Sequence, residues 1–209
     1  MDSLPPLYLI IDRATCAPRP LGDVLVEALD AGVRFVQLRE KGLETDALKN
    51  LAEDILRLTD AHRAELLINT HARLAVEIGA TGVHLPASGP LPQTVREAYG
   101  DRLLIGCSAH TLKELEPAVD ADFVTCSPVY APSSKPVAGI GLNALREMVG
   151  ATSLPVFALG GITPGRVPPC RSAGAAGIAV MSGILAAENV EAAVRAYLGA
   201  WKTSQGRPI

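Results

Sequence analysis

Aromatic residues are scarce in this chain, and it lacks the features of several protein classes. Aromatic residues make up 4% of the 209 residues and hydrophobic residues 48%, so the core must be mainly aliphatic. A formal net charge of −3 leaves no broad basic surface, and we expect no nucleic-acid partner. No apolar run approaches the roughly 20 residues of a membrane span, and the first residues do not resemble a signal peptide. We therefore expect a cytoplasmic protein without a membrane partner.

The four cysteines are too scattered to predict a metal site or a disulfide framework. They include no C-x-x-C pair, the spacing that zinc sites and redox motifs commonly use. We expect free, buried thiols in a reducing compartment. The residues are Cys16, Cys107, Cys126 and Cys170.

Short apolar runs alternate with helical patterns along the whole chain. The runs are continuous, which is typical of parallel strands buried on both faces. The predicted strands are residues 7–12, 35–39, 65–69, 82–85, 103–108, 123–127, 155–159 and 177–181. The predicted helices, which have apolar residues at three- and four-residue spacing, are residues 21–32, 45–62, 71–80, 91–100, 111–121, 142–150, 163–174 and 190–201.

This alternation predicts an α/β fold, a closed (β/α)₈ TIM barrel rather than an open doubly wound sheet, because eight strands are each followed by a helix. No Pro- or Ser-rich linker divides the chain. We expect a single domain over residues 1–209, with a frayed polar tail at 203–209. Active sites of this fold lie at the carboxyl ends of the strands, so the residues there are the candidates for function.

A polar cluster ends the second predicted strand. Gln37, Arg39 and Lys41 are spaced by two residues, so on an extended chain their side chains point the same way. Arginine suits bidentate contact with phosphate, and lysine adds a point charge. The cluster therefore predicts an anion site, with an ion-pair network around Glu40 as the alternative.

Glycine-bearing turns follow the seventh and eighth predicted strands. Glycine lets the backbone approach an anion, and exposed N–H groups bind it, so these turns predict a phosphate site rather than mere tight turns. Its residues are Gly160, Gly161, Ser182 and Gly183. The loop after the sixth strand, with Ser134 and Lys135, predicts a lid over an anionic substrate or else a solvated loop.

Several segments, taken in order, resemble one family over nearly the whole chain. They are VQLREKG, LLIN, GATGVHL, IGCSAHT, SPVYAPSSKP, PVFALGGI and GIAVMSGI, and they are similar to the thiamine phosphate synthase and TenI family. The resemblance implies the same barrel and a role in thiamine (vitamin B1) biosynthesis. In the synthase branch, hydroxymethylpyrimidine pyrophosphate loses pyrophosphate, and the nitrogen of thiazole phosphate captures the resulting carbocation. The family also makes a homodimer an expectation.

The resemblance implies substrate contacts for individual residues. Ser108 would lie at the reacting centre, and Lys135 would neutralise the leaving group. For the pyrimidine pyrophosphate the implied contacts are Gln37, Arg39, Lys41, Asn69, Ser108, Ser134 and Lys135. For the thiazole phosphate they are the backbone N–H groups of Gly161, Ser182 and Gly183.

Two positions depart from the synthase pattern. Where the synthases carry aspartates that bind Mg²⁺, this chain has Thr70 and Gly89, which supply no carboxylate. We therefore expect no cofactor, with Mg²⁺ needed only if the chain acts as a synthase. This departure favours the TenI branch, whose characterised activity is a metal-independent thiazole tautomerase.

The tautomerase prediction needs an acid–base residue. The TenI branch usually places a histidine just after the sixth strand, where this chain has Pro128. Histidine titrates near neutral pH and can shuttle a proton, so His84 and His110, with Ser108, are the catalytic candidates, and His71 is a further one. Two alternatives stay open: a divergent synthase, and a non-catalytic regulatory barrel. In each case the partner is a small phosphorylated molecule.

Overall fold

A computed structural model of the chain describes residues 4–131 and 137–204. In these residues eight parallel strands close into a barrel in sequence order, with Leu7 of the first strand paired to Ile178 of the last. The predicted (β/α)₈ barrel is therefore confirmed. The strands are β1 (Leu7–Ile11), β2 (Phe35–Leu38), β3 (Glu65–Asn69), β4 (Gly82–Leu85), β5 (Leu104–Ala109), β6 (Phe123–Cys126), β7 (Val156–Leu159) and β8 (Gly177–Val180).

Helices surround the barrel and cover its outer face. The α-helices in the described residues are α1 (Arg13–Cys16), α2 (Leu21–Asp30), α3 (Thr45–Ala61), α4 (Ala72–Ile78), α5 (Pro92–Tyr99), α6 (Gly141–Gly150), α7 (Val167–Ser172), α8 (Ser182–Leu185) and α9 (Val190–Thr203). Shorter 3₁₀ helices cover Gly100–Arg102, Leu112–Ala118 and Pro164–Arg166. Among the described residues, no helix has the length and apolar character needed to cross a membrane.

Proline accounts for two differences from the predicted helices. The α-helix predicted at residues 111–121 is a 3₁₀ helix with Pro117 inside it, and proline removes a donor and clashes with the preceding turn of a regular α-helix. The helix predicted at residues 163–174 divides into a 3₁₀ turn and α7, with a proline in the first turn of each. At the end of the chain α9 includes Thr203, so the predicted tail overlaps the helix, and residues 205–209 lie outside the described part.

An aliphatic layer lies between the strands and the helices. Val36 and Leu38 of β2 belong to it, because alternate side chains of each strand face outward. All four cysteines are buried and unpaired, as expected. Burial raises the pKa of each thiol to about 11, so these residues are packing groups at neutral pH.

The scarce aromatic residues are concentrated inside the barrel. All three phenylalanines of the chain, Phe35, Phe123 and Phe157, form an interior cluster with Tyr8. The Tyr8 ring stacks on Phe35 with 4.3 Å between centroids and meets Phe123 edge-on at 5.4 Å. These residues lie in the first half of their strands, so the rings fill the end of the barrel opposite the mouth.

Glycines on neighbouring strands make room for these rings. Gly106 of β5 pairs with Phe123, and Gly177 of β8 pairs with Phe157. A Cβ atom at Gly106 would lie 2.7 Å from Cε1 of Phe123, and one at Gly177 would lie 2.6 Å from Cδ1 of Phe157. The interior is therefore filled by large aromatic side chains that pack over glycines of the neighbouring strands.

One ionisable side chain, His84 of β4, is enclosed just above the aromatic cluster. It is 3% exposed, and its ring centroid lies 5.8 Å from that of Phe123. Burial, which disfavours the charged form, and the nearby Arg39 guanidinium lower the pKa of His84 from 6.5 to about 3. His84 is therefore neutral at pH 7.

We expect Gly106→Ala to destabilise the protein, because the added methyl group overpacks the interior against Phe123 and His84. Overpacking of this kind typically costs about 1–3 kcal/mol. Gly165→Ala is the matched control, because a Cβ there meets no atom within 4 Å. The free energy of unfolding in urea measures both effects, and equal values for the two variants would contradict this account of the interior.

We expect His84 to make the fold sensitive to acid. Between pH 6.5 and about 3 the unfolded chain binds a proton at this residue and the folded chain does not. Stability therefore falls as pH falls through this window, by up to about 1.4 kcal/mol per pH unit. His84→Gln should flatten the dependence of the unfolding free energy on pH. The same slope in the wild type and His84→Gln would refute the assignment.

Candidate active site

Strand β2 ends within the polar cluster, so that Gln37 lies in the strand and Arg39 and Lys41 lie beyond it. Gln37 is 1% exposed and faces the interior above Phe35. The strand ends at Leu38, so Arg39 is half-buried in the following connection and Lys41 is exposed there. Arg39 lies near enough to His84 to lower its pKa. Gln37 and Arg39 therefore line the interior and mouth, whereas Lys41 lies beyond the extended strand and is not held in the same orientation.

Glu40 does not pair with these cations. Its carboxylate accepts from the backbone N–H of Arg13 at 2.7 Å and pairs with Nε of Arg13 at 3.2 Å. Among residues 4–131 and 137–204, no ion pair involves Arg39 or Lys41. Their positive charges are therefore not offset by a described carboxylate, and an anion at the mouth is a suitable partner.

Four side chains form a continuous hydrogen-bonded series from the interior to the mouth. This series, here called the interior chain, consists of Gln37, Tyr8, His84 and Ser108. Nε2 of Gln37 donates to the hydroxyl of Tyr8 at 2.8 Å. That hydroxyl lies 3.4 Å from Nδ1 of His84, and Nε2 of His84 lies 3.0 Å from Oγ of Ser108. Both nitrogens of His84 are thus engaged, and its low pKa counts against the predicted acid–base role at neutral pH.

His110 has a different setting from His84. It is exposed after β5, and its Nδ1 lies 2.7 Å from the carbonyl oxygen of Ser127. A carbonyl only accepts, so Nδ1 carries the proton, and in the neutral ring Nε2 is left as a proton acceptor. His71 is exposed directly before α4. Of the predicted histidines, His110 is the one whose hydrogen bonding suits a general base.

The positions of the family's magnesium ligands hold no carboxylate. Nδ2 of Asn69 donates to Oγ1 of Thr70 at 2.9 Å, so the amide is turned toward its neighbour. Gly89 lies in a turn and donates its N–H to the carbonyl of Pro86 at 2.8 Å. The described residues contain no group of three or more His, Cys, Asp or Glu side chains that could hold a metal ion. These donors do not fit the family's magnesium site, and we assign no step to a metal.

A cavity of about 350 Å³ opens between the ends of β7 and β8. Gly160 and Gly161 line it with φ angles of +96° and +60°, and a Cβ at Gly161 would lie 2.7 Å from the carbonyl oxygen of Ala131. Glycine is therefore required at this close approach. Ser182 and Gly183 line the opposite side at the start of α8, where the first N–H groups have no acceptor within the helix. The cavity thus offers backbone donors to an anion.

Arg166 is a residue of this cavity that the sequence analysis missed. Its guanidinium lies 4.5 Å above the ring of Tyr130, and Nη1 donates to the carbonyl of Gly161 at 2.6 Å. Among the described residues that line the cavity, it is the only one with a charged side chain. The arginine follows β7 within a short turn, and no motif in the sequence distinguishes it from a surface residue.

The loop predicted as a lid is described only at its ends. Ser134 and Lys135 lie outside the described residues, so their roles stay predictions. After the gap, the N–H of Ile140 donates to the carbonyl of Pro128 at 2.8 Å, and that of Gly141 donates to Val129 at 2.9 Å. The loop therefore starts and ends beside the mouth.

Comparison with known proteins gives consistent matches along the chain. Residues 7–184 match the family model described as thiamine monophosphate synthase. A Geobacter sulfurreducens protein named "Putative thiamine-phosphate synthase" is 43% identical over 196 residues, 92% of each chain. The thiamine-phosphate synthase of Geobacillus kaustophilus is 38% identical over 199 residues, covering 90% of this chain and 89% of that protein.

A solved structure agrees with these matches. The thiamine phosphate pyrophosphorylase from Pyrococcus furiosus superposes with a TM-score of 0.86 at 29% identity, covering 96% of both chains. The barrel, the cavity between β7 and β8 and the polar mouth thus occur in a chain that resembles these proteins over almost its full length. The chain belongs to the thiamine monophosphate synthase family of thiamine biosynthesis.

Proposed function

We propose that this chain is a thiamine-phosphate synthase, a transferase that joins hydroxymethylpyrimidine pyrophosphate to thiazole phosphate. The observation that carries the proposal is the presence of two polar regions at one end of the barrel. One is the cavity lined by Gly161, Ser182 and Arg166, and the other comprises Arg39 and the outer end of the interior chain. Two phosphorylated substrates need two such regions, whereas a tautomerase acts on one. The names of the relatives support the same choice.

In the proposed reaction, the bond between the pyrimidine methylene carbon and the pyrophosphate oxygen breaks, and its electron pair leaves with pyrophosphate. The lone pair of the thiazole nitrogen then forms the new carbon–nitrogen bond. Arg39 offsets the charge that develops on the leaving group, and Lys41, exposed in the connection after β2, stays a predicted second contact. The cavity between β7 and β8 holds the thiazole by its phosphate, which fixes the distance between nitrogen and carbocation.

A thiazole tautomerase is the second candidate function, and the hydrogen bonding of His110 is the observation that favours it. The bond from Nδ1 to Ser127 leaves Nε2 of His110 as a proton acceptor, which is the arrangement of a general base. The absence of carboxylates at Thr70 and Gly89 agrees with this candidate as well. A non-catalytic binding barrel would use the same cavity without either reaction.

We expect the purified chain to form thiamine phosphate and pyrophosphate in equal amounts from the two synthase substrates. The assay is run with added Mg²⁺ and with a chelator, and Arg39→Gln should reduce the rate under both conditions. A parallel assay supplies the unaromatised thiazole phosphate alone, with His110→Gln as the variant. Conversion of this substrate that depends on His110, without thiamine phosphate formation, would favour the tautomerase. Binding without turnover in either assay would favour the binding barrel.

We expect Arg166→Gln to weaken use of thiazole phosphate specifically. Loss of a hydrogen bond to a charged group costs about 1.5–3 kcal/mol, which corresponds to a rise in KM of roughly tenfold or more. The unphosphorylated thiazole alcohol should show little change, because it lacks the group that Arg166 contacts. Arg166→Lys should restore part of the loss, and Arg57→Gln, at an exposed position of α3, is the control. An equal loss for the phosphate and the alcohol would indicate a structural role instead.

A further inference from the structure

The phenol of Tyr8 has one proton and two hydrogen-bond partners. Nε2 of Gln37 donates to the phenol oxygen at 2.8 Å, and the other partner is Nδ1 of His84 at 3.4 Å. Tyr8 is 0% exposed, and burial raises its pKa, so the phenol keeps its proton. Among the described residues, Nδ1 of His84 is the acceptor available to that proton.

The hydrogen bonds of Tyr8 fix the tautomer of His84. A neutral imidazole carries one proton, and a nitrogen that accepts from Tyr8 cannot carry it. The proton is therefore on Nε2, which faces Oγ of Ser108 at 3.0 Å. The opposite tautomer would leave the phenol proton without an acceptor inside an aromatic interior, which is unfavourable.

The tautomer in turn sets the direction of the Ser108 hydroxyl. Its oxygen accepts from Nε2 of His84 and from Oγ1 of Thr125, which lies 3.4 Å away. A hydroxyl oxygen has two acceptor sites, so both are used and its own proton remains to be donated. Ser108 is half-buried near the end of β5, so this proton is directed to the mouth.

We propose that Tyr8 and His84 are positioning residues that hold Ser108 as a hydrogen-bond donor to an acceptor atom of the pyrimidine pyrophosphate. The identity of that ligand rests on the proposed synthase function, whereas the polarity of the interior chain does not. His84 does not exchange a proton with substrate in this arrangement. It transmits the orientation of a buried phenol to a hydroxyl at the mouth.

The protonated nitrogen of His84 can be measured directly. In the full chain labelled with ¹⁵N-histidine, long-range proton–nitrogen correlation spectra distinguish a protonated from an unprotonated ring nitrogen, and His84→Gln identifies the signals. We expect the Nε2-protonated tautomer in the wild type at neutral pH. An Nδ1-protonated or mixed population would overturn the proposal, because Ser108 would then donate inward to His84.

Tyr8→Phe tests whether the phenol sets this tautomer. The ring is kept, so its packing on Phe35 is retained, but Nδ1 loses its donor. We expect a mixture of His84 tautomers and a fall in kcat for thiamine phosphate formation of roughly tenfold, equivalent to one buried hydrogen bond. KM for thiazole phosphate should not change. Tyr99→Phe, the same deletion on helix α5, should alter neither measurement.

Ser108→Ala removes the outermost hydroxyl of the interior chain and leaves its inner members, Tyr8 and His84, in place. It should lower kcat at least as much as Tyr8→Phe while His84 stays protonated on Nε2. A fall in kcat in Tyr8→Phe with an unchanged tautomer would refute the positioning role. If the chain forms no thiamine phosphate, or if Tyr8→Phe does not fold, the tautomer of the wild type still decides the polarity. A failed synthase assay and a failed proposal are thus distinguishable.

Discussion

The packing of aromatic rings inside the barrel is the constraint on which the site depends. Phe35, Phe123, Phe157 and the ring of Tyr8 fill the half of the interior opposite the mouth. Polar groups directly above them must find partners among themselves, because burying an unpaired polar group is costly. Gln37, the Tyr8 hydroxyl and His84 satisfy this requirement in series, and the series ends at Ser108. The same packing that stabilises the barrel therefore orients a hydroxyl at its functional end.

The acidic and basic side chains near the mouth have different hydrogen-bond partners. Three carboxylates in the connections after β1, β2 and β5 accept hydrogen bonds from backbone N–H groups: Asp12 from Thr15, Glu40 from Arg13 and Glu114 from His110. Such charge-assisted bonds hold these acids against the backbone. Arg39 and Arg166, by contrast, lie at the mouth and the cavity. With Thr70 and Gly89 in place of two aspartates, the mouth carries less negative charge for a metal ion to offset, and in the proposed synthase the cations would act on the phosphates directly.

The elements could be read from the sequence because their signals are local. Continuous apolar runs predicted the strands to within a residue or two. The glycines after β7 and β8 line a cavity, and the phosphate site predicted for their turns stays a prediction. The interior chain could not be found in this way. Tyr8 and His84 lie on β1 and β4, which are not paired strands, and they meet only because the barrel closes. The orientation predicted for Lys41 assumed an extended strand, whereas β2 ends at Leu38; its contact with an anion stays a prediction.

Surroundings, rather than residue type, separate the two candidate histidines. His84 is enclosed by aromatic rings and has both nitrogens engaged, so its role is to hold a neighbour. His110 is exposed, with one nitrogen bonded to a carbonyl and the other available. The proposed coupling forms a carbon–nitrogen bond from a lone pair and needs no proton carrier, whereas tautomerisation does. A positioning histidine in the interior is therefore sufficient for the synthase, and only the tautomerase requires His110 to act as a base.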